Sequence, residues 1–177
     1  IDVRQVYLDS FGADTYFCSC NAVTEDGLLY NVDGNSNRVA AICYGPKSVI
    51  MVVGINKIVK DTNEAILRVK NTAAPKNAKR LSCKTYCAEK GHCVSEESSF
   101  GGCAGKDRIC ANYVISGRQR VPGRIKIIFV EESVDKRSRI YKAAAKCGNP
   151  VEFKTQTDET LARWVGTRIR KEGKGMS

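Results

Sequence analysis

The run Val49-Ile50-Met51-Val52-Val53 is apolar throughout and mostly β-branched, and its length limits what can cover it. A bilayer crossing needs about 20 such residues; here Gly54, Lys57 and Lys60 close the run after Val53. The expectation is a strand over Ser48–Val53, buried on both faces as in a parallel sheet. With 42% apolar and 27% charged residues in 177, the chain can bury one real core, or two small ones at most.

The flanking sequence supplies the rest of an α/β pattern. Residues 2–10 read as the end of a helix, and Thr15–Cys20 as a strand. Asp26-Gly27 and Asp33-Gly34 are turn signals around the extended run Leu28–Val32, which gives a hairpin-like unit. Arg38–Tyr44 is a short helix or strand. Asp61 and Glu64 have capping-box spacing before Ala65, Ile66 and Val69, predicting a helix that ends near Asn71, before Pro75. Val114–Ser116 and Ile125–Val130 read as strands. Residues 135–146 then read as a helix stopped by Gly148-Asn149-Pro150. Thr157 offers an N-cap to a last helix with Leu161, Trp164, Val165 and Ile169 on one side and basic residues on the other. Strands and helices mixed up to about residue 130, followed by an α-rich appendage, predict an α/β domain with a largely parallel sheet and a helical C-terminal segment.

Net charge is +10, with 16 basic and 12 acidic side chains in residues 1–123 and 13 and 7 in residues 124–177. Such an excess bears on encounter with polyanions rather than on fold. No secretory pattern opens the sequence, and an odd count of nine cysteines does not suit a closed disulfide framework. The expectation is a cytoplasmic chain, a piece of something longer, with reduced thiols.

Three constellations can carry chemistry. The first is Asn21 to Arg38, where carboxylates, carboxamides and glycines follow an apolar strand: Asn21, Glu25, Asp26, Gly27, Asp33, Gly34, Asn35, Asn37 and Arg38. In an open α/β sheet, loops at the carboxyl ends of strands hold ligands, so these residues are candidate contacts to a phosphorylated or hydroxylated small molecule. The same residue types are also what tight turns demand sterically.

Asn21-Ala22-Val23-Thr24-Glu25-Asp26-Gly27, Asn31–Val39, Gly45-Pro46-Lys47 and Val53–Val59 together closely resemble the LUD domain, the lactate-utilisation protein family, over residues 1–124. The resemblance implies an α/β sheet similar to the glucosamine-phosphate deaminase, ribose-phosphate isomerase and CoA-transferase group (the NagB/RpiA/CoA-transferase-like fold), truncated at its N-terminus. It implies a ligand position at the loop Asn21–Asp26, a part in oxidation of lactate to pyruvate as a binding or assembly component, and iron–sulfur or flavin redox proteins as partners. It carries over no catalytic residue.

The second constellation is Cys83-x3-Cys87-x5-Cys93-x9-Cys103-x6-Cys110, in a Gly-rich loop with His92 beside Cys93. Thiolates at these five cysteines could enclose zinc or an iron–sulfur cluster, the candidate cofactors, since both demand soft ligands. Unliganded reduced thiols are the competing reading, because no pair has the x2 spacing of common zinc sites. Within the LUD resemblance, a short-form subgroup has a similar run ending in Arg-Ile-Cys, matched by Arg108-Ile109-Cys110, and Val94–Gly102 looks like an insertion. His92 reads as a solvated loop residue. Cys18, Cys20, Cys43 and Cys147 read as small apolar fillers.

The third is the basic tail: Lys136, Arg137, Arg139, Arg163, Arg168, Arg170, Lys171 and Lys174. A cationic helix face contacts phosphates or is simply solvated. Phe129–Lys142, Val151–Lys154 and the Leu161–Trp164 helix resemble a segment of the DNA polymerase III delta subunit, the clamp-loader wrench, over residues 125–177. That resemblance implies nucleic acid as a partner in an alternative reading, and a truncated or chimeric chain joined near Arg124–Phe129.

The domains expected are therefore 1–130, LUD-like, and 131–177, helical. Three functions follow from different features: a lactate-utilisation-like binding component, a metal-binding structural module built on Cys83–Cys110, and a clamp-loader-like segment.

Overall fold

The computed structural model describes residues 2–173. Its contacts divide into two compact units, the first ending at Glu132 and the second beginning at Ser133. No helix among the described residues is long and apolar enough to cross a membrane.

The first unit runs α1 (Val3–Ser10), β1 (Thr15–Cys18), β2 (Ala22–Thr24), β3 (Leu29–Asp33), α2 (Asn37–Cys43), β4 (Ser48–Gly54), β5 (Ile58–Val59), α3 (Thr62–Arg68), α4 (Ala74–Arg80), α5 (Tyr86–Lys90), β6 (Asn112–Ser116) and β7 (Ile125–Val130). Two sheets result. In one, β1-β4-β7, every pairing is parallel, with Val49 opposite Tyr16 on one side and Ile125 on the other. In the other, β5-β2-β3-β6, only β2 and β5 are parallel; the hairpin β2–β3 and the pair β3–β6 are antiparallel. The fold is thus mixed α/β with one wholly parallel sheet.

The apolar run forms β4 as expected but is sealed on one side only. Val49, Met51 and Val53 are fully buried, whereas Val52 is 44% exposed, since alternate side chains on a strand point to opposite faces. The strands buried on both faces are β2 and β3. Val23 and Leu29 join Ile42, Val49, Met51 and Val53 in one core, while Ala22, Tyr30 and Val32 join Ala65, Val69 and Ala74 in a second. Burying side chains of this size stabilises by about 1.5–3 kcal/mol each. The hairpin is therefore a shared wall between two cores.

Two local readings change. Asp61 caps α3 by accepting from the Glu64 amide, as the spacing predicts, but the helical path does not stop near Asn71. One π-type turn, Val69–Ala73, carries it into α4, which contains Pro75 and runs to Arg80. Pro75 sits in the first turn of α4, where a missing amide N–H costs least. The second change is Cys43, which is exposed at the end of α2 rather than a core filler. Cys20 is buried and Cys18 partly so, and the Cys147 side chain lies outside the described residues.

Strand β7 is anchored by the residue before it. Arg124 donates from Nε to the Pro46 carbonyl (3.0 Å) and from its two Nη atoms to Ile42 (2.6 Å) and Ala41 (3.0 Å). The Ile42 and Ala41 carbonyls belong to the last turn of α2, the negative end of the helix, so a guanidinium there is favourable.

The second unit holds α6 (Arg139–Cys147) and α7 (Asp158–Lys171), capped by Ser138 and Thr157. The first begins later than expected because Ser138 supplies the cap, while Asp135 accepts from the Arg137 amide. On α7, Leu161 and Trp164 are 48% and 64% exposed.

Candidate functional site

Where the chain leaves the parallel sheet for the mixed one, Ser19, Cys20 and Asn21 bridge β1 and β2. Beside them lie the β3–α2 turn, the 3-10 turn Ile55–Lys57 after β4, and the Arg108-Ile109 segment. Together they line an open cavity of about 370 Å³, to which Asn77 and Leu81 of the α4 end also contribute. That volume lies in the range of small-molecule sites.

Of the nine residues expected here, Asn21, Asp33, Gly34, Asn35 and Arg38 line the cavity. Glu25, Asp26, Gly27 and Asn37 do not. Asp26 accepts from the Thr24 hydroxyl inside the hairpin turn, where Gly27 has φ +93°, a left-handed conformation that favours glycine. Asn37 is the first residue of α2. These four residues serve the turn and the helix start rather than the cavity.

Arg38 organises the wall. Its Nη1 donates to the Ser19 carbonyl (3.1 Å) and to Asn31 Oδ1 (2.7 Å); its Nη2 donates to Asn21 Oδ1 (2.9 Å) and the Val32 carbonyl (2.9 Å). Asn21 Oδ1 also accepts from the Val32 amide (2.9 Å). Asp33 spends Oδ2 on the amides of Arg38 and Val39 at the start of α2.

Three cations missed in the sequence stand nearby. Lys57 Nζ donates to Ser19 Oγ (2.8 Å), and Arg68 donates from Nη1 to the Asn21 carbonyl (2.5 Å) and from Nε to the Asn56 carbonyl (3.2 Å). Arg108 bonds the carbonyls of Cys110 (2.8 Å), Cys103 (3.5 Å) and Phe100 (3.1 Å), and Tyr113 Oη (3.2 Å). Arg38, Lys57, Arg68 and Arg108 all rest on neutral oxygens. Among the described residues, none of the four forms an ion pair with a carboxylate. Burial, and then the positive charge of Arg68, hold the Lys57 ammonium below its ordinary pKa. Burial likewise lowers Arg68. No spacing in the sequence marks these residues, because they come from four separated segments.

A second, smaller cavity of about 30 Å³ lies under the cysteine loop. Cys87, Cys93, Cys103 and Cys110 line it; Cys83 does not. Burial and the neighbouring thiols Cys87 and Cys93 push the Cys110 thiol up to about 11. Among the described residues no three His, Cys, Asp or Glu side chains are placed to hold a metal ion as they stand. His92 is a half-exposed loop residue whose Nδ1 lies 2.8 Å from Glu96 Oε1. The loop contains α5, a helical turn capped by the Thr85 side chain and ended by Gly91 in the left-handed region (φ +84°), where the sequence shows no periodicity.

In the basic tail, Lys136 pairs with Glu152, Arg137 with Asp135, Arg163 with Glu159 and Arg168 with Glu172, all on the surface. Exposed pairs of this kind contribute about 0–1 kcal/mol. Lys174 lies outside the described residues.

One protein-family model, described as the LUD domain, matches residues 2–130. The match runs through β7, which places Ile125–Val130 within the family domain. No curated protein and no solved structure gives a match to the chain. The likeness of residues 125–177 to the clamp-loader delta subunit is not shown by these comparisons.

Proposed function

The chain belongs to the LUD domain family, and from that premise we propose that this lactate-utilisation-like protein is a binding component of a lactate-oxidising system, holding a small anionic metabolite beside Arg38 and Lys57. One observation carries the reading: Arg38, Lys57 and Arg108 line one cavity, with Arg68 close behind, and no carboxylate pairs with any of them among the described residues. Neutral oxygens orient these cations without cancelling their charge. In a partly desolvated site that uncancelled charge attracts a carboxylate or phosphate more strongly than it would in water. Asp33, the one carboxylate on the wall, already serves two backbone amides.

In this reading Asn21, Asp33, Gly34, Asn35 and Arg38 shape the pocket, and Lys57 meets the anion. The partners we propose for it are iron–sulfur or flavin redox proteins in the cytoplasm.

The test is a titration of the full chain with L-lactate, pyruvate and inorganic phosphate, followed by calorimetry or amide chemical shifts. At least one should bind saturably. Lys57→Met should weaken it about tenfold or more, since a hydrogen bond to a charged group contributes about 1.5–3 kcal/mol, with the circular dichroism unchanged. Absence of binding by all three anions, or equal binding by Lys57→Met, would refute the reading.

A further inference from the structure

The cysteine loop contains more order than its composition requires. Its irregular chain is clamped at two points by cations reaching in from elsewhere. Lys70, only 5% exposed, extends from the π-type turn and donates through Nζ to the carbonyls of Ser95 and Gly101 (3.0 Å for the second), with Cys93 Sγ 3.9 Å away. Arg108 holds the carbonyls of Phe100, Cys103 and Cys110. Four of the nine cysteines are gathered around one cavity between these clamps, and Cys83, their nearest neighbour in sequence, is left out.

We infer that Cys87, Cys93, Cys103 and Cys110 form a site for one soft divalent cation of the zinc class, with Lys70 and Arg108 offsetting its charge. Four thiolates around a doubly charged ion carry a net charge of about −2, and the two clamping cations supply two positive charges with no carboxylate paired to either among the described residues. Four cysteines around one space match the tetrahedral thiolate set that a cation of the zinc class takes. Binding has to draw the sulfurs inward, because no three of them are placed to hold an ion as they stand. The loop can allow it: apart from α5 it has no regular structure, and Gly101, Gly102 and Gly105 lie between the second and fourth ligands.

The site also has a structural consequence. Ile109, between Arg108 and the ligand Cys110, lies with its main chain against Gly34: a Cβ built on Gly34 would stand 3.3 Å from the Ile109 carbonyl oxygen. Arg108 and Ile109 line both cavities. An ion on the thiols would therefore fasten one wall of the larger pocket.

The experiment is a cobalt(II) titration of the reduced full chain under anaerobic conditions, followed by competition with zinc. One cobalt per chain, with the intense visible bands and thiolate charge-transfer absorption of tetrahedral sulfur ligation and displacement by zinc, is the expected result. Ser at Cys87, Cys93, Cys103 or Cys110 should lower cobalt affinity by more than about 100-fold, since even losing a residue that only supports a ligand costs 10–100-fold. Cys83→Ser and Cys43→Ser should bind as the parent does. No cobalt uptake by the unsubstituted chain, a weak octahedral spectrum, equal loss in Cys83→Ser, or purification with several irons and iron–sulfur absorption would each overturn the inference. The unsubstituted chain's spectrum decides the matter even where a Ser variant fails to fold.

Discussion

Replacing Arg38 with Met keeps the length and apolar stem of the side chain and removes all four of its hydrogen bonds. Their acceptors do not lose equally. Ser19 and Val32 line the larger cavity, so water can take over their carbonyls at little cost. Asn21 Oδ1 keeps the Val32 amide as a donor. Asn31 is different: it is fully buried, does not line the cavity, and its Oδ1 loses the 2.7 Å bond from Nη1. Stranding a buried acceptor costs about 1–3 kcal/mol, and the lost charged bonds bring the expected total to about 2–3 kcal/mol. With a urea dependence of about 1–3 kcal/mol per molar, the unfolding midpoint of the first unit should fall by about 0.7–3 M. The only tryptophan, Trp164, lies in the second unit, so the transition should be followed by far-ultraviolet circular dichroism and tyrosine emission. Arg38→Lys, which retains a charge but cannot reach four acceptors at once, should fall between. A midpoint for Arg38→Met within about 0.3 M of the parent, below what this loss implies, would refute the account of the wall.

Two further outcomes follow from burial. Met51→Ala, at the centre of the first core, should destabilise by about 2–5 kcal/mol, while Val52→Ala on the opposite face of the same strand should cost under about 1 kcal/mol; equal losses in urea unfolding would overturn the one-sided burial of β4. Burial pushes the Cys18 thiol from the ordinary 9.0 up to about 11. Because the folded state favours the neutral thiol, its contribution to stability is intact below pH 9.0 and is lost as the pH rises toward about 11. Iodoacetamide labelling mapped by mass spectrometry should accordingly find Cys18 slow at pH 8 and accelerating toward pH 11, with exposed Cys43 labelled first; equally fast labelling of both at pH 8 would contradict this.

Much of the framework can be read locally. Caps at Asp61, Ser138 and Thr157, the Asp26-Gly27 turn and the β4 run are fixed by bonds within a few residues, or by apolar side chains that cannot face water, so a linear reading finds most of them. Where a local rule has a non-local exception, the reading fails. Pro75 signals a helix end, but the π-type turn before it absorbs the mismatch. An unbroken apolar run signals burial on both faces, yet only the layout of the sheets decides that β3 has two covered faces and β4 has one.

The sites divide the same way. Composition alone singled out the stretch Asn21–Arg38 and the five cysteines, because such residues are chemically conspicuous in a row. Residue type could not say that Asp26 belongs to a turn and Asp33 to a helix start, or that Cys83 stands apart from the other four thiols. Nor could it find Lys57, Arg68, Lys70 and Arg108, ordinary surface residues in any window of the sequence. Their role comes from three separated segments meeting around two small spaces, where lost water makes their charge count. The sequence determined which chemistries were available, and tertiary contact decided which side chains share a cavity.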